Sequence, residues 1–169
     1  MLSSNDYVID ADSLIEIQRR IIPLGRLFEP VLEQINQLCK TKKIIAPEQV
    51  KKELKLSSQP ENFRNWMLSN DKMFVKTTDF HVGIVQEIMK KHQNWIKINK
   101  TGEWADPFVV ALAYGNKNRY LERRKIITCE SQTKDTHIPK IAKEYGIDSL
   151  SLAEFLDNEF SMRLEKKKL

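Results

Sequence analysis

Three short apolar runs constrain this chain most: Tyr7-Val8-Ile9, Ile44-Ile45-Ala46 and Ile126-Ile127. Each is rich in β-branched residues and reads as a buried strand. Between them lie longer segments whose apolar residues recur at three- and four-residue steps, the spacing of helices. Such alternation predicts a single three-layer α/β domain, with a short central parallel sheet of four or five strands flanked by helices.

Strands are expected at residues 7–10, 44–46, 126–128 and 149–151. Asp12 or Ser13 caps a short helix over 13–19. Leu24, Leu27, Phe28, Val31, Leu32, Ile35 and Leu38 share one face and predict one amphipathic helix. Pro47 suits the first position of a helix carrying Val50, Glu53 and Leu54. Phe63, Trp66, Met67 and Leu68 mark another helical face, and 80–91 a further helix entered through Thr77-Thr78-Asp79. Phe108, Val109, Leu112 and Ala113 form the most apolar helix, expected against the sheet. A helix over 138–145 ends at Gly146, a suitable C-cap. A last helix over 152–159 closes a domain of residues 1–160, followed by a basic tail, 161–169.

Four acids stand at or near the ends of these apolar runs: Asp10, Glu53, Asp106 and Glu130. Each has an ordinary explanation. Asp10 can cap a helix, Asp106 before Pro107 is a cap signature, Glu53 can pair with a lysine, and Glu130 can be a loop acid. Asp12 or Ser13 can take the first cap, however, which leaves Asp10 at a strand's carboxyl end, where open α/β sheets place their ligands. Four such carboxylates suggest an oxygen-only site for Mg²⁺ or Mn²⁺.

A length of 169 residues suits one domain without disulfides, and Cys39 and Cys129 fit no metal spacing, as expected in a reducing cytoplasm. No run approaches the roughly 18 apolar residues of a membrane span. His81, His92 and His137 lack partners at zinc spacing. The five glycines never approach the spacing of a dinucleotide-binding loop. Net charge is +5, and basic residues gather around Lys40, Lys42 and Lys43, around Lys51, Lys52 and Lys55, at Lys90 and Lys91, and at Arg119 and Arg123 to Lys125. An acidic pocket inside a basic surface suits a polyanionic substrate.

These motifs, taken in order, resemble the PIN-domain family, the nuclease fold of VapC-like toxins. The resemblance rests on Tyr7-Val8-Ile9-Asp10-Ala11-Asp12-Ser13, on Ile45-Ala46-Pro47 through Glu53-Leu54, on Ala105-Asp106-Pro107-Phe108, and on Ile126-Ile127-Thr128-Cys129-Glu130. It covers nearly the whole chain and is closest to a less studied PIN-like branch. It departs at Asp12, where the family usually has Ser or Asn, and at Glu130, where Asp is commoner.

The resemblance implies a metal-dependent ribonuclease in which Asp10, Glu53, Asp106 and Glu130 are catalytic and hold Mg²⁺ or Mn²⁺. Asp12, Ser13 and Thr128 would orient the ligands. It further implies single-stranded RNA as substrate and, for a toxin, a cognate antitoxin that places a basic side chain among the acids. Crowded carboxylates predict at least one raised pKa. Trp66, Trp95 and Trp104 are candidates for base stacking. Phe63, Trp66, Met67 and Phe74 could form a docking or homodimer surface, or simply core.

Two rivals remain. A haloacid-dehalogenase-like phosphatase would use Asp10-Ala11-Asp12 and Thr128, but residues after Thr128 hold no adjacent acid pair. A non-catalytic PIN scaffold would bind RNA or protein with a weakened site.

Overall fold

In the computed structural model, residues 6–95, 104–115 and 123–166 are described, with side chains through residue 160. Arg119 and the end of the basic tail, residues 167–169, lie outside them. Five strands, β1 (Tyr7–Ile9), β2 (Ile44–Pro47), β3 (Phe74–Val75), β4 (Lys125–Ile127) and β5 (Ser149–Leu150), form one sheet in the order β3-β2-β1-β4-β5. Every pairing is parallel. Helices flank the sheet in a three-layer α/β arrangement, as the alternating pattern predicts. All strand carboxyl ends therefore share one edge, and β1 occupies its centre.

Along the chain the helices are α1 (Ala11–Glu16), α2 (Glu29–Lys40), α3 (Glu48–Leu56), α4 (Glu61–Ser69), α5 (Asp79–Lys91), α6 (Asp106–Tyr114), α7 (Ile138–Glu144) and α8 (Leu152–Lys166). The most apolar of them, α6, packs on β1, β2 and β4 through Val109, Val110 and Ala113, all fully buried. They belong to one buried cluster with Val8, Ile9, Ile126 and Ile127. Each large apolar side chain buried here contributes about 1.5–3 kcal/mol, which explains why strands of two to four residues suffice.

Several local expectations give way to tertiary context. The stripe from Leu24 to Leu38 does not form one helix. A 3₁₀ segment, Ile22–Leu27, precedes α2, and Gly25 breaks it with φ +54°, a left-handed value that glycine adopts without strain. Leu24 and Leu27 consequently point to solvent. A π-helical turn, Ile17–Ile21, extends α1 instead of a longer α-helix. Pro47 ends β2 with an extended backbone rather than opening α3 from within. β3 has no counterpart among the expected strands; its two residues pair with Ala46 and Pro47. Phe63, Trp66 and Met67 are core, so they form no docking surface, and Phe74 alone of that group is half-buried. α8 continues through residues 161–166, where a tail was expected. Thr78 caps α5 in a reciprocal capping box with His81, and Gly146 follows α7 with φ +68°, both as expected.

Candidate functional site

Asp10 is the first residue beyond β1, and only 2 % of it reaches solvent. Its backbone N–H donates to Ile127 O at 3.2 Å, so β4 fixes the strand end. Its side chain caps α1, accepting the Ser13 N–H at 2.7 Å. Asp12 and Ser13 therefore do not take the cap, contrary to expectation. The reason is geometric: Asp10 has extended φ/ψ and α1 begins at Ala11, so only its carboxylate can reach the free N–H groups.

Thr128, immediately after β4, also hydrogen-bonds the Asp10 carboxylate. Its Oγ1 accepts the Glu130 N–H at 3.1 Å, which directs the hydroxyl proton toward Asp10. Ser13 Oγ lies 3.3 Å from Ile127 O and 3.5 Å from Cys129 Sγ. Burial pushes the Asp10 pKa from its ordinary value of 3.8 up to about 7, against the lowering effect of the Ser13 and Thr128 hydrogen bonds. The charge of Asp12 raises it further. The raised pKa expected of crowded carboxylates is present, but desolvation is its first cause. Asp12 itself is exposed at the rim.

Glu53 reaches the start of α6, the helix that Asp106 opens. Glu53 Oε2 accepts the Ala105 N–H at 3.3 Å, next to Asp106. Asp106 is the first residue of α6, Ala105 takes the cap position, and Pro107 follows in the first turn. The expected Asp-Pro cap is thus shifted by one residue, with Asp106 in the first turn rather than at the cap. Trp104 Nε1 donates to Asp106 Oδ2 at 2.7 Å. The Trp104 ring stands edge-on to buried Trp95, with centroids 5.0 Å apart. Trp104 therefore steadies a carboxylate, and Trp66 and Trp95 are buried away from any base.

Glu130 departs most from expectation. Its Oε2 accepts the Ile138 N–H at 2.6 Å, so it ties the loop after β4 to the start of α7. His137 Nδ1 accepts the Ser131 N–H at 3.1 Å and closes the same loop. A helix start supplies free N–H groups, and this carboxylate is spent on one.

Among the described residues, no three Asp, Glu, His or Cys side chains form a group that could hold a metal ion. The predicted convergence of four acids is therefore not seen. Asp10 is held by Ser13 and Thr128, Glu53 reaches the segment of Asp106, and Glu130 serves α7. The donors nevertheless fit a divalent cation in kind: Asp10, Glu53 and Asp106 offer hard oxygen atoms. The elements that carry them are packed together, with α1 against α3 and α6 against β1.

Cys129 is the neighbour that sequence reasoning passed over. Its side chain lies by Ser13 and within the fields of Asp10, Glu16 and Asp12, and burial raises its thiol pKa first among these causes. Only its position, directly after a strand-ending Thr128, could have pointed to it.

Fold and site together define a parallel α/β domain with a buried carboxylate at the carboxyl end of its central strand, the place where such sheets bind ligands. Within that class the chain belongs to the family described as "Domain of unknown function (DUF4411)", whose model matches residues 7–162. No curated protein matches the chain. No helix among the described residues is long and apolar enough to cross a membrane.

Proposed function

We propose that this protein is a metal-dependent ribonuclease that hydrolyses RNA phosphodiester bonds. The observation that carries the reading is Asp10: a carboxylate 2 % exposed, at the central strand's end, with its pKa pushed up to about 7. A buried carboxylate of that kind gains from a nearby cation, because its ionised form is otherwise poorly solvated. Asp10 and Asp106 would hold one Mg²⁺ or Mn²⁺, with Glu53 reaching it directly or through water. When bound, such an ion offsets phosphate charge and lowers the pKa of its water. Thr128 and Ser13 orient Asp10 through their hydrogen bonds, and Trp104 orients Asp106 through Nε1. The resemblance of the ordered motifs to PIN-domain nucleases supports the same reading, including a toxin role with a cognate antitoxin.

The test is cleavage of labelled single-stranded RNA by purified protein with Mg²⁺ or Mn²⁺, compared with Asp10→Asn. Cleavage that needs the metal and disappears in the variant supports the reading; equal cleavage by the variant overturns it. The second reading, a scaffold that binds without cleaving, is favoured by the lack of a three-membered metal-holding group among the described residues. RNA binding without metal-dependent cleavage would establish it. Harmless overexpression of an active enzyme would remove the toxin role alone.

A further inference from the structure

Away from the strand-end carboxylates, the loop before β2 and the turn before β3 enclose an open groove of about 840 Å³. Lys40, Lys42, Lys72 and Lys76 line it, with Phe74 and Asp71. Lys40 and Lys42 precede β2 and Lys72 precedes β3, so the groove begins at the amino ends of those strands. It then follows the outer flank of β3, the last strand of the sheet, to Lys76.

The four lysines are exposed, and none forms an ion pair among the described residues. The groove's one acid, Asp71, is taken by Lys51, whose ammonium also lies 5.8 Å from the centre of the Phe74 ring. Lys42 is held with φ +57° by its N–H bond to Cys39 O, and its carbonyl accepts Arg124 Nη1 at 2.9 Å. The loop that presents these charges is therefore fixed by backbone bonds.

We infer that this groove binds the phosphodiester backbone of a single-stranded nucleic acid, at a site separate from Asp10. Four unpaired ammonium groups repel one another, and a polyanion relieves that repulsion while releasing its own counterions. Lysine is a flexible point charge that meets phosphate oxygens without demanding one geometry. The half-buried Phe74 ring offers a stacking surface for one base, the usual complement to a basic groove on single strands. An acidic protein strand is the weaker fit, because a two-residue edge strand offers almost no backbone to pair with. The inference does not depend on cleavage by the carboxylates.

The experiment is anisotropy of a labelled oligouridine with the full chain in EDTA, so that no metal-dependent cleavage intrudes, between about 50 and 200 mM salt. The combined variant is Lys40→Gln, Lys42→Asn, Lys72→Gln and Lys76→Gln, with Asn chosen because it tolerates the left-handed backbone. It should bind at least about tenfold more weakly, with a salt slope shallower by about 0.7 for each lysine that meets a phosphate. Phe74→Leu should weaken binding several-fold at an unchanged slope. The pair Lys40→Gln and Lys72→Gln gives an independent reading if the fourfold variant melts early. Wild-type affinity and slope in these variants would overturn the inference, as would a polyglutamate that displaces oligouridine as well as RNA does. Loss of RNA cleavage on Asp10→Asn would leave it untouched.

Discussion

The two poles of the sheet hold charge in opposite ways. At the carboxyl end, Asp10 is buried, hydrogen-bonded by Ser13 and Thr128, and raised in pKa first by its burial. At the amino end, Lys40, Lys42 and Lys72 stand in solvent with ordinary freedom. A buried charge destabilises the fold unless it is paired, so it is worth holding only where a ligand completes it. Exposed lysines cost the fold almost nothing and act collectively through their field. Under the proposed function one pole would be a point of chemistry and the other a zone of attraction, and substitutions at the two should behave differently.

The largest contrast is in activity. Asp10→Asn keeps a side-chain oxygen for the Ser13 N–H, so the α1 cap survives. Metal-dependent RNA cleavage should nevertheless fall roughly a thousandfold, the loss of a few kcal/mol of charge stabilisation. Single-turnover assays on labelled RNA measure it, and a fall of less than tenfold would erase the distinction between the poles.

Stability against pH is the next test. The folded chain holds the Asp10 proton more tightly than the unfolded chain, because its pKa is about 7 against an ordinary 3.8. The resulting stabilisation is complete below pH 3.8 and is lost as pH rises through 7. Its size is on the order of 4 kcal/mol in metal-free buffer. Urea melts from pH 4 to 8 should show this decline in wild type and a flatter profile in Asp10→Asn. Substituting the exposed lysines should leave the profile alone.

Trp104→Phe sharpens the comparison within the acidic pole. It keeps most of the edge-on contact with Trp95 but removes the donor to Asp106 Oδ2. Activity or metal affinity should drop about 10- to 100-fold. Oligouridine binding in EDTA should not change.

Glu130→Ala should have the smallest effect. It removes the acceptor for the Ile138 N–H and should cost about 1 kcal/mol of stability, read from a chemical melt. Cleavage should stay within a few-fold of wild type at a temperature where the fold is intact. A loss as large as that of Asp10→Asn would return Glu130 to the catalytic group.

What could be read in advance followed from strong local signals. Tyr7-Val8-Ile9, Ile44-Ile45 and Ile126-Ile127 are too apolar to be anything but buried strands, and an acid after the first of them stood out. β3 escaped because Phe74 and Val75 carry no pattern of their own; β2 makes them a strand by offering its free edge. Leu24 and Leu27 imitated a helical stripe because a left-handed turn at Gly25 cannot be seen in spacing. Around the site, Asp10 falls at a strand end and Asp106 at a helix start as expected, but the bonds of the candidate acids could not be read. Which free N–H a carboxylate serves depends on where each helix begins to within one residue. That register separates Asp10 as a cap from Asp12, and Asp106 in the first turn from Asp106 as cap.

The central position of β1 has a consequence for synthesis. β1 is made first, yet its partners Lys125–Ile127 come late, and the Tyr7 hydroxyl bonds Glu159, 152 positions further on. Chains emerge from the ribosome at roughly 5–20 residues per second, amino end first. The surroundings of Asp10 thus stay unassembled until more than a hundred further residues are made, since Ile127 and Thr128 must arrive to complete them. A growing chain carries Asp10 past the ribosomal RNA before Thr128 arrives to hold its carboxylate.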